Sequence, residues 1–339
     1  MIAGWQNYAK YYKAFSLYLQ QRAAMETQII KEKSFFLNNS SLQRFFVRSM
    51  LPATGKPKGI LQISHGMAEH GGRYQELGEF LAQNGYGVFV SDHPGHGQTA
   101  GNTARLGHLP NSNGWELMLE NMRALYTHIR QNLPEAPVFV LGHSMGSVLA
   151  QHFASVYPVY IQGLILSGTF DTPRSLLWLS LQFIRLQTLL RGAQYKSKWF
   201  NGLFYYNFNR HFSPKPTHYE WISSDRTQVD QYVADPFCGF QCTNAFFNNL
   251  FKGIGEMKKT SKNLKYRKTL PILIFGGQND PVGNFGKDAM KIHRKFLKQR
   301  FQNLKVKIFP GRHEMLREPE KDKVFFLILN WMEEFLHTR

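Results

Sequence analysis

The fold is decided by the stretch PVFVLGHSMGS, which runs from Pro137 to Ser147. Its first half is apolar and rich in valine, as expected for a buried strand, and helical periodicity begins at its end. Gly142 and Gly146 flank Ser144 in a G-x-S-x-G pattern, which is typical of a serine held at a sharp strand-to-helix turn. Glycine suits both positions because neighbouring side chains would prevent the turn from closing. The stretch therefore predicts Ser144 as a nucleophile.

On both sides of this turn, short apolar runs alternate with segments of helical periodicity, which indicates a mainly parallel sheet. We predict strands at Ser34–Leu37, Gln43–Ser49, Gly59–Ser64, Gly87–Ser91, Pro137–Leu141, Ile161–Leu166, Leu270–Phe275 and Leu304–Ile308. We predict helices at Tyr74–Asn84, Gly114–Gln131, Ser147–Tyr157 and Gly286–Gln299. The first two strands should form an antiparallel hairpin at the sheet edge, because only a short polar turn separates them. The predicted fold class is α/β, an eight-stranded, mostly parallel sheet with helices on both faces.

One interval, from about 171 to 235, breaks this alternation. It contains no clear strand and is crowded with large apolar and aromatic residues. Such a segment must pack against something, so we predict a helical cap inserted over a lipophilic site. An ordinary helical layer without a ligand is the alternative. The candidate substrate-binding residues in the cap are Trp178, Leu181, Phe204 and Tyr205.

A serine nucleophile needs a base to take its proton and an acid to orient that base. In this topology the acid follows a late strand and the histidine follows the last strand. Asp280 comes just after the seventh predicted strand, and His313 comes just after the eighth. Asp288 is a rival acid that we expect to face solvent from the next helix, and Glu314 is expected to make local hydrogen bonds. The predicted catalytic residues are therefore Ser144, Asp280 and His313.

Acyl transfer also needs two hydrogen-bond donors for the developing oxyanion. The first is the amide of the residue after the nucleophile, Met145, and the second comes from the loop after the third strand. That loop reads SHGMAEH from Ser64 to His70, which makes the Met67 amide the predicted second donor. Gly66 would let the backbone approach the substrate carbonyl closely.

The composition gives little indication of a metal or cofactor site. The chain has two cysteines, Cys238 and Cys242, too few for a disulfide framework or a four-cysteine zinc site. Their spacing is simply that of two small residues in a loop. We therefore expect no metal and no cofactor.

The net charge of the chain bears on which partners it could bind. Its 339 residues include 41 Lys and Arg against 23 Asp and Glu, a formal net charge of +18. Between Lys252 and Lys307, 15 basic residues face 3 acidic ones. This segment is poor in the aromatic residues that stack on bases, so we expect no nucleic-acid partner. A peripheral contact with an anionic membrane surface competes with a simply solvated basic face. No obligate protein partner is expected.

Residues 1–24 differ from the rest because they contain no acidic residue. Their large residues recur at three- and four-residue spacing: Trp5, Tyr8, Tyr12, Phe15 and Leu19. This predicts an amphipathic N-terminal extension, with its aromatic face at a membrane interface. The alternatives are a helix packed on the domain, or a mis-assigned start with the true start at Met25. We predict that the catalytic domain spans 25–339, with the cap inserted at about 171–235.

Six motifs in order resemble the serine hydrolases of the α/β-hydrolase fold, within the monoacylglycerol lipase and lysophospholipase family. They are HGMAEHGGRY at His65–Tyr74, DHPGHG at Asp92–Gly97, GHSMGS at Gly142–Ser147, VADPFCGF at Val233–Phe240, GGQNDPVG at Gly276–Gly283 and GRHEMLRE at Gly311–Glu318. The resemblance spans about residues 30–335. Four histidines lie in these motifs: His65, His70, His93 and His96. The resemblance implies that they are loop residues around the mouth of the active site and not metal ligands. The sequence departs from the family pattern at Pro94, where the family usually has arginine.

The resemblance implies a serine hydrolase that cleaves carboxylic esters of single-chain glycerolipids, lysophospholipid or monoacylglycerol, through an acyl-enzyme intermediate. A short-chain carboxylesterase or thioesterase of the same fold is the alternative, and a catalytically silent lipid-binding protein is a more distant one. The implied partner is a lipid ester substrate. Without a secretory signal or a disulfide framework, the expected location is cytoplasmic, or peripheral on the inner face of the membrane.

Overall fold

The chain forms one twisted sheet in a computed structural model that describes residues 30–260 and 268–336. The helix predicted for residues 1–24 lies outside the described residues. The strands within them are β1 (Ile30–Asn38), β2 (Arg44–Pro52), β3 (Ile60–Ser64), β4 (Gly87–Ser91), β5 (Val138–His143), β6 (Gly163–Ser167), β7 (Ile272–Gly277) and β8 (Leu304–Phe309). Their order is β1-β2-β4-β3-β5-β6-β7-β8, and β3 to β8 run parallel. The predicted eight-stranded, mostly parallel sheet is confirmed.

The edge of the sheet is the predicted antiparallel hairpin. β1 pairs with β2 from Ile30 opposite Pro52 to Asn38 opposite Arg44, and β2 is also antiparallel to β4. The Asn39 side chain closes the turn, because its Oδ1 accepts hydrogen bonds from the amide of Gln43 at 2.9 Å and from a second turn amide. β1 begins four residues before its predicted start, since an edge strand can carry charged side chains outside its apolar run, and β2 extends to Pro52.

Helices cover the sheet. They are α1 (Gln75–Gln83), α2 (Gly97–Ala100), α3 (Gly114–Asn132), α4 (Met145–Val156), α5 (Arg174–Arg191), α6 (Lys198–Asn209), α7 (Arg226–Ala234), α8 (Asn244–Thr260), α9 (Lys287–Lys298) and α10 (Lys321–Glu334). The four predicted helices are present as α1, α3, α4 and α9, with ends within two residues of the prediction. We did not predict α8 and α10. Both are buried around most of their circumference, so their sequences lack a clear polar face.

The strands bury side chains on both faces of the sheet. On β5, Val140 packs in one cluster with Phe153 of α4 and Phe246 of α8. Its neighbour Phe139 points the other way, and its ring lies 5.7 Å from that of Trp331 on α10. A strand covered on both faces reads as a continuous apolar run, which explains why β3 to β7 stand out in the sequence.

Between β6 and β7 the chain forms helices α5 to α8 and, in its described part, no strand. On α5 only Leu177 and Ile184 are buried. The segment after α6 forms a small cluster of its own around Trp221 and Tyr232. Among the described residues, no helix is both long and apolar enough to cross a membrane.

Candidate active site

Ser144 lies at the turn between β5 and α4 with a backbone φ of 51° and ψ of −119°. This conformation is unfavourable for a residue with a side chain, so the surroundings must impose it. They do so by packing the backbone too closely for any side chain at the neighbouring glycines. A Cβ on Gly142 would lie 2.2 Å from the carbonyl oxygen of Gly146. A Cβ on Gly146 would lie 2.1 Å from the carbonyl oxygen of Ser64. The turn therefore closes only with glycine at both positions.

Hydrogen bonds hold this turn against the neighbouring strand. The Ser144 amide donates to the carbonyl of Ser167 at 2.9 Å. The Ser147 hydroxyl lies 2.9 Å from the Thr169 hydroxyl, in the loop after β6. Helix α4 begins at Met145, and its first amides carry the positive end of the helix dipole beside Ser144.

Asp280 and His313 meet at the carboxyl ends of β7 and β8. His313 Nδ1 lies 2.9 Å from Asp280 Oδ1, and both side chains are buried. The Asp280 carboxylate also accepts a hydrogen bond from the Val282 amide at 2.9 Å. Burial alone would lower the pKa of His313, but the Asp280 carboxylate outweighs burial and leaves that pKa above its ordinary value. The pair can thus hold an imidazolium during a reaction.

Ser144 and His313 open into the same cavity, which has a volume of about 560 Å3. A Cβ at Gly168, whose φ is 54°, would lie only 3.0 Å from Cε1 of His313, so glycine is needed beside the ring. In the described chain, no direct hydrogen bond joins the Ser144 hydroxyl to His313. Such bonds are often long without substrate and tighten when it binds.

The loop after β3 borders this cavity with Gly66 and Met67, and Met145 borders it from the start of α4. Next to Met67, Ala68 has a φ of 56°, which is rare for a residue with a Cβ. The Ala68 carbonyl accepts hydrogen bonds from the Tyr232 hydroxyl at 2.8 Å and from the Gly239 amide at 3.0 Å. The segment after α7 therefore fixes the loop that carries Met67.

The rival carboxylate Asp288 does not simply face solvent as predicted, because it lines the cavity wall. Its Oδ2 accepts a hydrogen bond from the Asp171 amide at 3.0 Å. The Asp171 carboxylate is bound by three lysines at the cavity rim: Lys258, Lys291 and Lys295, at 2.5 to 2.7 Å. These lysines lower the pKa of Asp171, although burial acts in the opposite direction.

A buried ionic cluster borders the cavity, which Glu69 and Glu314 line, and it pairs Glu314 with Arg73, a residue distant in the sequence. Arg73 pairs with Glu314 and, at 3.3 Å, with Glu69. Glu69 also accepts hydrogen bonds from the Gly66 amide at 2.5 Å and the Tyr74 hydroxyl at 2.9 Å. Burial raises the pKa of Glu314, while the pKa of Glu69 is lowered because His143, Arg73 and these hydrogen bonds outweigh its burial. The sequence pattern gave no sign of this cluster.

The four predicted cap contacts do not all reach the cavity. Phe204 lines it, whereas Trp178 is 60% exposed on the outer side of α5. Leu181 packs against the core, and Tyr205 packs against Tyr219 in the small cluster after α6. Other apolar side chains form most of the wall: Leu176, Phe200, Leu203, Phe208, Phe247, Leu250, Phe251 and Ile254. The three- and four-residue spacing from Phe200 to Phe208 would have indicated the inner face of α6.

Three of the loop histidines have structural contacts. His65, His93 and His96 are buried next to one another, and burial lowers the pKa of His93 to about 3 and that of His96 to about 4. The His93 amide donates to Nε2 of His65 at 3.0 Å. These contacts need neutral imidazoles.

Within the described chain, one group could offer metal ligands: His70, Asp235 and Cys238, with ligand atoms within 4.8 Å of one another. Both ring nitrogens of His70 are already used, because Nδ1 accepts from the Gly72 amide and Nε2 lies 2.8 Å from Asp235 Oδ2. Burial raises the pKa of the Cys238 thiol, which disfavours a thiolate ligand. The group is better described as a link between the loop after β3 and the end of α7.

Comparison with known proteins places the chain among ester hydrolases. Residues 55–320 match the family described as "Serine aminopeptidase, S33". The chain is 26% identical to the monoglyceride lipase of Homo sapiens over 88% of its own length and 89% of that protein. It superposes on a carboxyl esterase from Bacillus coagulans with a TM-score of 0.80 and 25% identity, covering 91% of this chain and all of that one. The monoglyceride lipase of Saccharomyces cerevisiae has the same fold, with a TM-score of 0.69, 18% identity and coverage of 92% and 96%.

Proposed function

The chain belongs to the serine aminopeptidase S33 family and has the α/β-hydrolase fold, and we propose that it is a serine hydrolase that cleaves the ester bond of monoacylglycerols. The observation that carries this proposal is that Ser144 and His313 open into one cavity of about 560 Å3 with a mainly apolar wall. The relatives named as monoglyceride lipases support the substrate class. The cavity supports it independently, because an acyl chain gains about 0.8 kcal/mol for each buried methylene.

In the proposed mechanism, Ser144 Oγ attacks the ester carbonyl carbon while His313 Nε2 takes the hydroxyl proton. The carbonyl oxygen becomes an oxyanion, and the amides of Met67 and Met145 donate hydrogen bonds to it. The tetrahedral intermediate then collapses: the bond to glycerol oxygen breaks, and His313 returns the proton to that oxygen. A water molecule, deprotonated by His313, then attacks the acyl carbon. The bond to Ser144 Oγ breaks, His313 returns the proton to Oγ, and the fatty acid leaves. Asp280 keeps His313 in the required tautomer throughout.

The helical segment at 171–235 would act as the cap of this site. Its α6 residues Phe200, Phe204 and Phe208 contribute to the cavity wall together with side chains of α8. Phe204 stacks on Phe247 of α8, with ring centroids 5.6 Å apart and nearly parallel rings. This packing supports a preformed acyl pocket.

We also propose that the cap rests on a lipid surface. Its outer side exposes large apolar side chains on α5 and α6 that do not line the cavity: Trp178, Leu179, Leu186, Leu189, Leu190, Trp199 and Tyr206. Exposed patches of this kind mark interaction sites, and a tryptophan suits the interfacial region of a bilayer. The lysines on α9 would favour anionic lipids there.

The test compares hydrolysis of monoacylglycerol, lysophosphatidylcholine, lysophosphatidylglycerol and p-nitrophenyl acetate. Monoacylglycerol should give the highest kcat/KM, and this activity should disappear in Ser144→Ala. A preference for the acetate would instead indicate a short-chain esterase. A preference for either lysophospholipid would overturn the proposed substrate.

Two cap variants separate the cavity from the surface patch. Phe204→Ala should raise KM for long-chain monoacylglycerols, because Phe204 lines the cavity. Trp178→Ala should weaken binding to vesicles and leave hydrolysis of a dissolved short-chain ester unchanged, because Trp178 is exposed. If both variants behave alike, the division between an inner acyl pocket and an outer lipid-facing side is wrong.

A further inference from the structure

A second groove, also of about 560 Å3, shares no lining residue with the catalytic cavity in the described chain. It forms where the start of β2, the loop after α2 and the connection between α5 and α6 meet. Its basic and imidazole side chains are Arg44, Arg105, His108 and Lys196. Short polar side chains complete it: Gln43, Thr99, Asn121, Gln194 and Thr243. Because its lining includes no carboxylate, the groove offers positive charge and hydrogen-bond donors.

These cations differ from those at the catalytic cavity. There, Asp171 neutralises part of the charge of the lysines around it. In the groove, none of Arg44, Arg105 and Lys196 forms a salt bridge with an acidic residue of the described chain. Lys196 uses one of its three N–H donors on the carbonyl of Leu106 at 2.8 Å, which fixes its ammonium at the groove.

The floor of the groove is rigid. Gly95 has a φ of 71°, and a Cβ there would lie 2.3 Å from the carbonyl oxygen of His108. The Gly107 amide donates to the Gly95 carbonyl at 2.8 Å, and the Thr243 amide donates to the Gly107 carbonyl at 2.8 Å. The backbones of three loops are thus in direct contact. The site is preformed, so little ordering would be required when a ligand binds.

His108 supplies a reporter within the groove. Its Nδ1 lies 3.1 Å from the Thr243 hydroxyl, which leaves Nε2 for another partner. Burial lowers the pKa of His108, and the nearby Lys196 lowers it further. An anion bound beside both residues would act in the opposite direction and raise this pKa.

We propose that the groove binds a phosphate group, carried by an anionic lipid headgroup or by a soluble phosphate ester. Guanidinium groups match the oxygens of phosphate in geometry and charge, and two arginines from different elements line the groove: Arg44, whose guanidinium lies over the Phe36 ring, and Arg105. The lipid source has structural support, because Gln194 and Lys196 follow shortly after Leu189 and Leu190, the most exposed apolar residues of α5. The site does not depend on the proposed ester hydrolysis.

The test uses Arg44→Gln/Arg105→Gln, two exposed positions, in the full chain. The control, Lys56→Gln/Lys305→Gln, removes the same charge from exposed positions elsewhere. The soluble arm follows the His108 imidazole signal by NMR during titration with inorganic phosphate and glycerol 3-phosphate, with His108→Gln to assign it. The lipid arm measures co-sedimentation with phosphatidylcholine vesicles with and without phosphatidic acid. Hydrolysis of a dissolved short-chain ester checks that each variant is folded.

We expect the wild type and the control to bind the phosphate ligand in at least one arm. Arg44→Gln/Arg105→Gln should bind it about 30-fold more weakly, because two cations that each attract the phosphate have been removed. Binding in the vesicle arm alone identifies a headgroup site, and a raised His108 pKa with dissolved phosphate identifies a soluble ligand. Equal losses in the control and the groove variant would show non-specific charge attraction and overturn the proposal. Absence of binding in both arms would also overturn it.

Discussion

The hydroxyl of Tyr232 donates a 2.8 Å hydrogen bond to the carbonyl oxygen of Ala68, a residue with a backbone φ of 56°. Tyr232 lies on α7, at the end of the cap segment, while Ala68 adjoins Met67, the proposed oxyanion donor. The Gly239 amide binds the same carbonyl, and Asp235 contacts His70 at the other end of the loop. The end of the cap thus holds the loop after β3 in an unfavourable conformation, which would point the Met67 amide at the substrate.

Tyr232→Phe should therefore lower kcat by about 2- to 13-fold, the effect of one lost hydrogen bond of about 0.5–1.5 kcal/mol on the transition state. KM should change less, because the oxyanion forms only during the reaction. Steady-state kinetics would measure both parameters. Tyr205→Phe is the matched control, since its hydroxyl binds the Phe240 carbonyl outside the loop. A change in KM alone would mean that Tyr232 contacts substrate and does not position the loop.

Gly142→Ala should destabilise the fold by about 3 kcal/mol or more, because its Cβ would lie 2.2 Å from a backbone oxygen that cannot move aside. Thermal unfolding would report the loss as a lower Tm. Gly276→Ala is the control: it is also a glycine at the end of a buried strand, but a Cβ there meets nothing within 4 Å. Similar Tm losses in both variants would show that the tight turn at Ser144 does not depend on Gly142.

Asp280→Asn should reduce kcat by about 10⁴-fold, because the amide would hold the wrong tautomer of His313. In the wild type, His313 is the base only when neutral, so kcat/KM should rise with pH through an apparent pKa above the ordinary histidine value of about 6.5. Without the Asp280 charge, burial dominates, and this pKa should move down. The pH profiles of both enzymes would measure the shift.

Asp288→Asn provides the control for that experiment. Asp288 also lines the cavity, yet it binds the Asp171 amide and not His313. It should keep most of the activity and the acid limb of the pH profile. If Asp288→Asn loses more activity than Asp280→Asn, the acid of the triad has been assigned to the wrong residue.

Arg73→Met should cost about 3–5 kcal/mol of stability, because it leaves Glu69 and Glu314 buried without a counter-ion. Adding Glu314→Gln should restore part of the loss, since one of the two uncompensated charges is then removed. Denaturant unfolding of the single and double variants would measure this. Lys259→Met, in an exposed pair with Glu256, should leave the unfolding midpoint nearly unchanged. No recovery in the double variant would contradict the ionic account of the cluster.

The sequence predicted the sheet well, and the same reasoning from strands produced the catalytic assignment, which stays a prediction. Strands buried on both faces are continuous apolar runs, and the loops at their carboxyl ends begin where those runs stop. The proposal of Ser144, Asp280 and His313 as catalytic residues rests on these strand ends. Cap contacts were harder: α5 is apolar on both its buried and its exposed sides, so Trp178 looked like a substrate contact although it faces outward.

Other features could not be predicted because they depend on long-range contacts. Arg73 and Glu314 are 241 residues apart in the chain, and Tyr232 and Ala68 are 164 apart. The cationic groove likewise joins Arg44, Arg105 and Lys196 from separate elements. The groove contains none of the basic residues between Lys252 and Lys307, so that segment, whose membrane contact stays a prediction, did not point to it.

The most direct test of the central claim is labelling with a fluorophosphonate, followed by mass spectrometry of the modified peptide. The label reacts with a serine activated by a neighbouring base, so the wild type should carry it on Ser144. Ser144→Ala should remain unlabelled and lose monoacylglycerol hydrolysis by several orders of magnitude. Labelling of another residue, or full hydrolysis by Ser144→Ala, would contradict the proposed catalytic site.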